Sequence, residues 1–279
     1  MSSFFELMSK AKHVHDSVIA AIHGNGITAY WYRNEINFGD LITPYLLCHY
    51  GFTPVYDRPM RAQILATGSI LEIPQNEYAG IILGSGFIEE ASRKTFPMAK
   101  ILAVRGKLTR ERLGPGRETV ALGDPGLLSS ILMPKREKKR FMIGIIPHYV
   151  DKNNVAINRL AKLNRKDLTI IDVQQQPLKV FTKIDSCRYV LSSSLHGLIV
   201  ADSLGIPNAW LAASGLKGGR FKFDDYYSAI GTRGGTPATL NGNETIDQML
   251  ALTSTKPAER IEQVKTSLNS LWCSLRQYM

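Results

Sequence analysis

Residues 190–207 read VLSSSLHGLIVADSLGIP and combine the end of an apolar strand, a serine-rich turn and an apolar helix. The strand, residues 189–191, consists of aromatic and branched apolar residues. The helix begins near Leu195, so the unpaired amide N–H groups of its first turn and the positive end of its dipole face the turn. A strand that passes directly into a helix predicts an α/β fold, and the turn between them predicts a site for an anion.

The same turn carries His196, whose unperturbed pKa lies close to neutrality. An imidazole at this place is suited to moving a proton at a bound anion. The structural alternative is that Ser192, Ser193 and Ser194 only cap the helix and that His196 is an interior side chain with satisfied hydrogen bonds. Taken alone, the turn is more typical of this structural role, so its interpretation depends on motifs elsewhere in the chain.

The composition indicates a globular protein. The chain has 279 residues, of which 44% are hydrophobic, and this length suits two domains of ordinary size. No apolar run approaches the roughly 18 residues of a membrane span, and charges interrupt the N-terminal region where a signal peptide would be apolar. We therefore expect a cytoplasmic protein. Cys48, Cys187 and Cys273 lie far apart and form no CxxC pair, which predicts reduced thiols without a metal.

The net charge of +10 fits a phosphorylated substrate, nucleic acid or an anionic lipid surface. The sequence has no zinc-finger spacing and no aromatic signature of an RNA-binding sheet, so we expect no nucleic-acid partner. The densest basic run is KREKKR at residues 135–140, directly after Pro134. It is predicted to be a solvated linker, and peripheral contact with acidic lipid is the alternative.

Short apolar segments alternate with helical or turn segments, which predicts parallel sheets covered by helices. The predicted strands of the first half are residues 27–32, 63–66, 81–83, 101–104 and 119–122, and those of the second half are residues 141–147, 168–173, 188–191 and 208–211. The simplest interpretation is two Rossmann-like α/β domains that face a cleft. The N-terminal domain covers residues 1–134 and the C-terminal domain residues 141–255.

Both ends of the chain carry an apolar stripe with helical spacing. The N-terminal stripe consists of Phe4, Leu7, Ala11, Val14, Val18 and Ile22, and the C-terminal stripe of Ile261, Val264, Leu268, Leu271 and Leu275. Either helix could lie on a membrane surface, but both stripes are narrow and their polar faces mix charges of both signs. We therefore expect both helices to dock on the core, with residues 256–279 packing back on the body of the protein.

Two turns of the N-terminal half follow predicted strands and could contact a ligand. In RNEINFGDLITPYLL, residues 33–47, Asn37 and Asp40 can cap a helix while Gly39 permits close approach of the backbone. An ordinary capped helix is the alternative. In LGSGF, residues 83–87, two glycines around Ser85 expose backbone donors, although a tight turn explains the pattern equally well.

Arg105 stands directly after the predicted strand 101–104 and before Gly106. A guanidinium that projects into the crevice there would suit bidentate capture of phosphate or carboxylate. A surface salt bridge is the alternative. In LGDPGLL, residues 122–128, Asp124 precedes a proline, and helix initiation accounts for most of this signal.

In the C-terminal half, IIPHYVD places His148 just past a strand, where it faces the cleft between the proposed domains or packs in the interior. GRFKFDDYYS, residues 219–228, mixes Arg220 and Lys222 with two acids, and the sequence leaves open whether the acids hold these cations or the cations face a ligand. The sequence contains no DxD pair, no HExxH, no GxSxG and no zinc-ligand spacing. We therefore expect anion chemistry without a metal.

Taken in chain order, the motifs NFGD, GSG, AVRGKLTRERL, LGDPGLL, IIPHYVD, SSSLHGLIVADSLGIP and KFDDYYS resemble the polysaccharide pyruvyltransferase family. The likeness spans residues 27–228. It implies a glycosyltransferase-B-like fold and transfer of the enolpyruvyl unit of phosphoenolpyruvate to a sugar of a lipid-linked oligosaccharide or polysaccharide precursor. The products are a cyclic pyruvate ketal and phosphate, and no cofactor is expected beyond the donor substrate.

The resemblance also implies roles for individual residues, with Arg105 and His196 as the catalytic pair. Some relatives have Arg-Leu-His where this chain has Ser194-Leu195-His196, so the cation that binds phosphate is expected to come from elsewhere. The expected phosphoenolpyruvate contacts are Arg105, Ser192, Ser193, Ser194, His196, Gly197, Arg220 and Lys222. The expected acceptor contacts on the side of the N-terminal domain and at the cleft are Asn37, Gly39, Asp40, Gly84, Ser85, Gly86 and His148.

In the mechanism that this resemblance implies, His196 transfers the proton that goes to the methylene carbon of phosphoenolpyruvate. His148 is a second acid/base or a sugar contact. Two alternatives share the fold, namely a glycosyltransferase that uses a nucleotide sugar and a non-catalytic carbohydrate-binding relative. The expected place of action is the inner face of the cytoplasmic membrane, where peripheral contact through the basic surface would meet a lipid-linked acceptor.

Overall fold

The computed structural model describes residues 24–163, 165–212 and 218–279. The N-terminal amphipathic helix predicted from Phe4 to Ile22 lies outside these ranges. Two sheets are present in the described part of the chain, and every strand pair in both of them is parallel. The structure therefore confirms the prediction of an α/β fold with parallel sheets.

The first sheet has six strands in the order β2-β1-β3-β4-β5-β6. Its strands are β1 Gly26–Tyr30, β2 Thr53–Tyr56, β3 Ile64–Leu65, β4 Ile81–Leu83, β5 Lys100–Val104 and β6 Ala121–Leu122. The sequence pattern missed β2, whose residues TPVY contain a proline and lack alternation. Proline is tolerated there because β2 is an edge strand of the sheet.

The second sheet has four strands in the order β10-β9-β7-β8. Its strands are β7 Phe141–Ile146, β8 Leu168–Ile170, β9 Cys187–Ser192 and β10 Asn208–Trp210. β7 and β9 are central, and most of the buried positions in both are apolar, as expected for a sheet covered on both faces. β9 leads into the serine-rich turn, so this turn lies at the carboxyl edge of the sheet.

Eight α-helices connect or cover these strands within the described residues. They are α1 Ile42–His49, α2 Lys107–Arg112, α3 Val155–Lys162, α4 Pro177–Asp185, α5 Leu195–Ser203, α6 Phe221–Ala229, α7 Ile246–Ala251 and α8 Ala258–Cys273. Three 3-10 segments, Pro125–Leu132, Tyr149–Asp151 and Leu275–Tyr278, complete the element order. None of the helices in the described ranges is long and apolar enough to cross a membrane.

The C-terminal stripe docks on the protein core. Ile261, Val264, Leu268 and Trp272 of α8 are buried in the largest hydrophobic cluster, which also contains residues of both sheets. The packing against the turn after β6 is tight, since a Cβ added at Gly123 would lie 2.5 Å from Val264 Cγ1. This close contact explains why the turn carries glycine at a φ of +150°.

Four positions of the basic segment 135–140 form hydrogen bonds with Asp185 or Ser186, so it is not the solvated linker that the sequence predicts. Arg136 forms three hydrogen bonds of 2.8 to 3.0 Å with the buried carboxylate of Asp185. Lys139 Nζ lies 3.2 Å from the same carboxylate. These contacts fasten the segment between the two sheets to the end of α4.

Candidate active site

A cavity of about 250 Å³ lies at the N-terminus of α5. Its walls come from the segments that follow β1, β3, β4, β7 and β9, and from α6. The carboxyl ends of parallel strands are the customary ligand position in such sheets. The lining residues are Tyr32, Asn37, Asp40, Ser69, Ile70, Glu72, Ile73, Ile88, His148, Tyr149, Ser194, Leu195, His196 and Lys222.

The three serines of the turn have different roles. Ser192 Oγ accepts a hydrogen bond from Ser194 N at 3.0 Å and lies 3.1 Å from the carbonyl of Ile146, so it holds the turn together. Ser193 Oγ donates to Asp151 at 2.6 Å and accepts from His148 N at 2.9 Å. Ser194 occupies the N-cap position of α5, but its side chain makes no capping hydrogen bond. Of the three hydroxyls, only that of Ser194 belongs to a residue that lines the cavity.

His196 lines the cavity from the first turn of α5 and is only 7% exposed. Burial lowers its pKa to about 3, and the positive charges of Arg105 and Lys222 act in the same direction. The imidazole is therefore neutral at physiological pH in the ligand-free protein. Its Nδ1 side faces Gly39 of the NFGD motif, because a Cβ added at Gly39 would overlap Nδ1 and Cγ of the ring.

We predict that Gly39→Ala displaces the imidazole of His196 but leaves the overall fold intact. The added methyl would collide with the imidazole, and overpacking of a buried site typically costs about 1–3 kcal/mol. Gly235→Ala is the matched control, since nothing lies within 4 Å of a Cβ at that position. Denaturant unfolding and turnover assays should show a loss for Gly39→Ala only. Equal effects of the two substitutions would contradict the packing argument.

Asp124 lies behind His196, on the side away from Gly39. Its Oδ1 accepts a hydrogen bond from Gly126 N at 2.8 Å, and its Oδ2 lies 3.8 Å from His196 Nε2. The carboxylate is fully buried, and burial raises its pKa to about 6. The sequence interpretation assigned Asp124 mainly to helix initiation, which it does perform, and missed its position beside the histidine.

Lys222 and Asp40 bring opposite charges to the cavity. Burial lowers the pKa of Lys222 to about 8, an effect that the charge of Arg105 reinforces and that of Asp40 opposes. Burial raises the pKa of Asp40 to about 7, although Asn37 donates a hydrogen bond to it at 3.1 Å. Both groups thus change their charge close to neutral pH. His148, on the wall formed after β7, has its pKa lowered to about 4 by burial and is neutral there.

Arg105 occupies neither of the two positions that were predicted from the sequence. Its side chain is fully buried, and Nε pairs with the equally buried Asp225 at 2.9 Å. The guanidinium also donates hydrogen bonds to Ser69 Oγ and to the carbonyl of Phe87. It therefore neither projects into the crevice nor forms a surface salt bridge. It lies behind the wall to which Ser69 belongs, and from there its charge acts on His196 and Lys222.

Several other predicted contacts do not line the cavity, namely Gly39, Gly84, Ser85, Gly86, Ser192, Ser193, Gly197 and Arg220. Ser85 Oγ donates to the carbonyl of Gly68 at 2.8 Å, and a Cβ at Gly86 would lie 2.5 Å from Arg105 Cζ. The GSG turn therefore supports the wall and permits the burial of Arg105. Arg220 is 57% exposed and pairs with Asp224 at 2.6 Å outside this cavity.

The cavity also contains residues that sequence reasoning missed. Glu72 accepts N–H hydrogen bonds from Ile88 at 2.9 Å and Glu89 at 3.4 Å, so its carboxylate orders the segment after β4. Tyr32 and Tyr149 add aromatic side chains to its walls. Tyr149 directly follows His148 in the IIPHYVD motif, and this position could have identified it as a cavity residue. Glu72 lies in no motif that marks it.

The fold and the cavity define an α/β protein with an anion-suited site at the carboxyl edge of its parallel strands. The sequence profile of the polysaccharide pyruvyl transferase family matches residues 13–215. The chain belongs to this family, as its ordered motifs predict.

Two curated relatives are similar to this chain over part of their lengths. An uncharacterized protein of Acanthamoeba polyphaga mimivirus is 38% identical over 159 residues, which cover 54% of this chain and 55% of that protein. The succinoglycan biosynthesis protein ExoV of Rhizobium meliloti (strain 1021) is 26% identical over 216 residues, which cover 72% of this chain and 64% of that protein. The chain thus matches between half and two thirds of the length of each.

A crystal structure of a functionally uncharacterized protein from Klebsiella pneumoniae subsp. pneumoniae NTUH-K2044 is also similar. It has 15% sequence identity and a TM-score of 0.44, and the alignment covers 82% of this chain and 98% of that one.

Proposed function

We propose that this chain transfers the pyruvyl unit of phosphoenolpyruvate to a sugar, forming a cyclic ketal and releasing phosphate. The observation that carries the proposal is the small cavity in which His196, Lys222 and Asp40 meet the N-terminus of α5. Membership of the polysaccharide pyruvyl transferase family supports it. The volume of about 250 Å³ also favours a three-carbon phosphorylated acid, because larger, drug-sized ligands occupy pockets of about 300–1,000 Å³.

In this proposal the donor is held by Lys222, the Ser194 hydroxyl and the first-turn N–H groups of α5. A helix N-terminus favours an anion through its dipole and its unpaired donors. Lys222 thus replaces the arginine that some relatives have at the position of Ser194. Arg105 adds positive potential from behind the wall without touching the ligand.

The chemistry needs one proton at carbon and one at phosphate. Asp40, whose pKa lies near 7, first passes a proton to the neutral His196, which delivers it to the methylene carbon of phosphoenolpyruvate and leaves an electron-deficient C2. One sugar hydroxyl attacks C2 and gives its proton to Asp40, from which the histidine is recharged. The C2–O bond to phosphate then breaks, phosphate leaves with the electron pair, and a second hydroxyl closes the ketal while its proton leaves with phosphate. His148, neutral at this pH, contacts the sugar.

The affinity for phosphoenolpyruvate is expected to fall with rising pH. Protonated Lys222 binds the anion, so above pH 8, the approximate pKa of Lys222, the dissociation constant should rise by up to about tenfold per pH unit. Ionisation of Asp40 near pH 7 acts in the same direction, because it adds negative charge to the cavity.

Calorimetric titration with phosphoenolpyruvate between pH 6 and 9.5 would measure this dependence. Lys222→Met should weaken binding by roughly 10- to 100-fold and remove the steep rise above pH 8. Lys107→Met deletes the same charge at an exposed position outside the cavity and serves as the control. A Lys222→Met protein with the wild-type pH dependence would exclude Lys222 as the donor contact.

The finer architecture and the acceptor belong to the same proposal. Residues 1–134 would form the acceptor domain and residues 141–255 the donor domain of a glycosyltransferase-B-like arrangement. The cavity is lined from both ranges, for example by Asp40 and His196. The name of the relative ExoV points to exopolysaccharide synthesis, which suits a lipid-linked acceptor at the cytoplasmic membrane face. Lys135 and Lys138 are exposed and available for contact with acidic headgroups there.

The function is tested by incubating the protein with phosphoenolpyruvate and a panel of lipid-linked oligosaccharides. Phosphate release together with a product whose mass and NMR spectrum show a pyruvate ketal is the expected result. The same panel with nucleotide sugars tests the glycosyltransferase alternative, and glycosyl transfer there would overturn the proposal. Sugar binding without any phosphate release across the panel would favour a non-catalytic carbohydrate-binding protein.

A further inference from the structure

Two buried polar atoms face each other in the interior, and neither has a hydrogen-bond partner among the described residues. They are Asp124 Oδ2 and His196 Nε2, 3.8 Å apart. Leaving a buried donor or acceptor unpaired typically costs about 1–3 kcal/mol, so such a pair calls for an explanation. The other carboxylate oxygen is fixed by Gly126 N at 2.8 Å, so Asp124 has a defined orientation.

We infer that Asp124 is the positioning residue of His196: it accepts a hydrogen bond from Nε2–H, which leaves Nδ1 as the ring nitrogen that can exchange a proton. The proton-exchange part of this inference rests on the proposed function, whereas the orientation of the ring does not. Asp124 Oδ2 and His196 Nε2 are 3.8 Å apart, so the two atoms must approach each other by about 1 Å to form this hydrogen bond. Catalytic hydrogen bonds often shorten when the substrate binds. The Nδ1 side faces Gly39, on the ring edge opposite Asp124.

Helix capping alone does not explain Asp124. The cap uses one oxygen, and Asn or Ser caps as well as Asp without burying a charge. A fully buried carboxylate is costly unless a partner stabilises it. The second oxygen, which is aimed at the imidazole, provides the reason for a carboxylate at this position.

The surrounding charges make such a partner necessary for proton transfer. Arg105 and Lys222 disfavour the imidazolium form of His196. Arg105 favours and Asp225 disfavours the ionised form of Asp124, and Asp40 has a like-charge interaction with it. An ionised Asp124 beside the ring would favour the imidazolium at the step in which His196 carries the additional proton. Asp124 thereby offsets the unfavourable field of the basic residues around His196.

The test is the tautomer of His196 in wild-type and Asp124→Asn proteins, read from the ring ¹⁵N signals of histidine-labelled samples. The His196 signals are assigned by their absence in His196→Gln. Wild type should carry the proton on Nε2. In Asp124→Asn the amide oxygen still accepts from Gly126 N, while the amide N–H₂ faces Nε2 and moves the proton to Nδ1. An unchanged tautomer in Asp124→Asn, or a wild-type proton on Nδ1, would overturn the inference.

Kinetics supply the second readout. Asp124→Asn should lower kcat by roughly 10²- to 10⁴-fold and leave the phosphoenolpyruvate dissociation constant within about threefold of wild type. Asp124→Ser, which also caps, should lower kcat without imposing one tautomer. Asp202→Asn is the control, because Asp202 is a buried carboxylate that hydrogen-bonds Asn208 and Tyr226 away from the cavity. A wild-type protein that has the expected tautomer but no turnover would refute the proposed function and leave the orientation intact.

Discussion

His196→Gln is expected to reduce phosphate release from phosphoenolpyruvate by roughly 10²- to 10⁴-fold, the contribution typical of a general acid–base group. Glutamine approximates the size of the imidazole but cannot carry a proton to carbon. The side chain lies in the first turn of α5 and is 7% exposed, so water has little access to take over its role. The loss should appear in kcat, because the donor's anionic groups are held by Lys222 and the helix N-terminus.

Single-turnover phosphate release and calorimetric binding, measured on the same preparation, separate these two effects. The dissociation constant for phosphoenolpyruvate should stay within about threefold of wild type. His49→Gln serves as the control, since His49 is an exposed residue at the end of α1. Normal phosphate release by His196→Gln would exclude His196 as the proton donor, and a loss confined to binding would reassign it to donor recognition.

The strands were the most predictable part of the fold, because their pattern is local. Each of the nine strands predicted from apolar runs is found, and the β9 turn that leads into α5 is placed as expected. β2 was missed since its TPVY sequence carries no alternation, and only its pairing with β1 makes it a strand. The candidate histidine was predictable for the same reason, because strand, turn and helix adjoin in sequence.

Contacts between distant segments could not be predicted in this way. Arg105 follows a strand, like many ligand-binding arginines, but its partner Asp225 lies 120 residues further along the chain. Asp124 and His196 belong to motifs that seemed independent in sequence, and only the packing of α5 on the 3-10 segment Pro125–Leu132 brings them together. The sequence thus predicted which residue types carry the chemistry, while tertiary packing decided which of them reach the cavity.

Arg105→Met is expected to destabilise the protein by about 3–5 kcal/mol, the usual cost of removing one partner of a buried ion pair. Methionine retains much of the volume but leaves the carboxylate of Asp225 without its 2.9 Å partner in a fully buried position. Asp225 would still accept hydrogen bonds from Thr109 N at 2.8 Å and Thr109 Oγ1 at 2.7 Å, but these donors are neutral. Denaturant unfolding monitored by fluorescence and circular dichroism would measure the loss.

Combining Arg105→Met with Asp225→Asn distinguishes a structural role of Arg105 from direct binding of the ligand. Asparagine keeps an oxygen for Thr109 and removes the unpaired charge, so the double variant should be more stable than Arg105→Met alone. Arg220→Met breaks an exposed pair with Asp224 and should cost at most about 1 kcal/mol. If Arg105→Met instead kept wild-type stability and lost phosphoenolpyruvate binding, the guanidinium would contact the donor directly. The fully enclosed position of Arg105 argues for the loss of stability. Its hydrogen bonds join Asp225 of α6 to Ser69 after β3 and to Phe87 after β4, so this side chain must be in place before a cavity exists for the donor to enter.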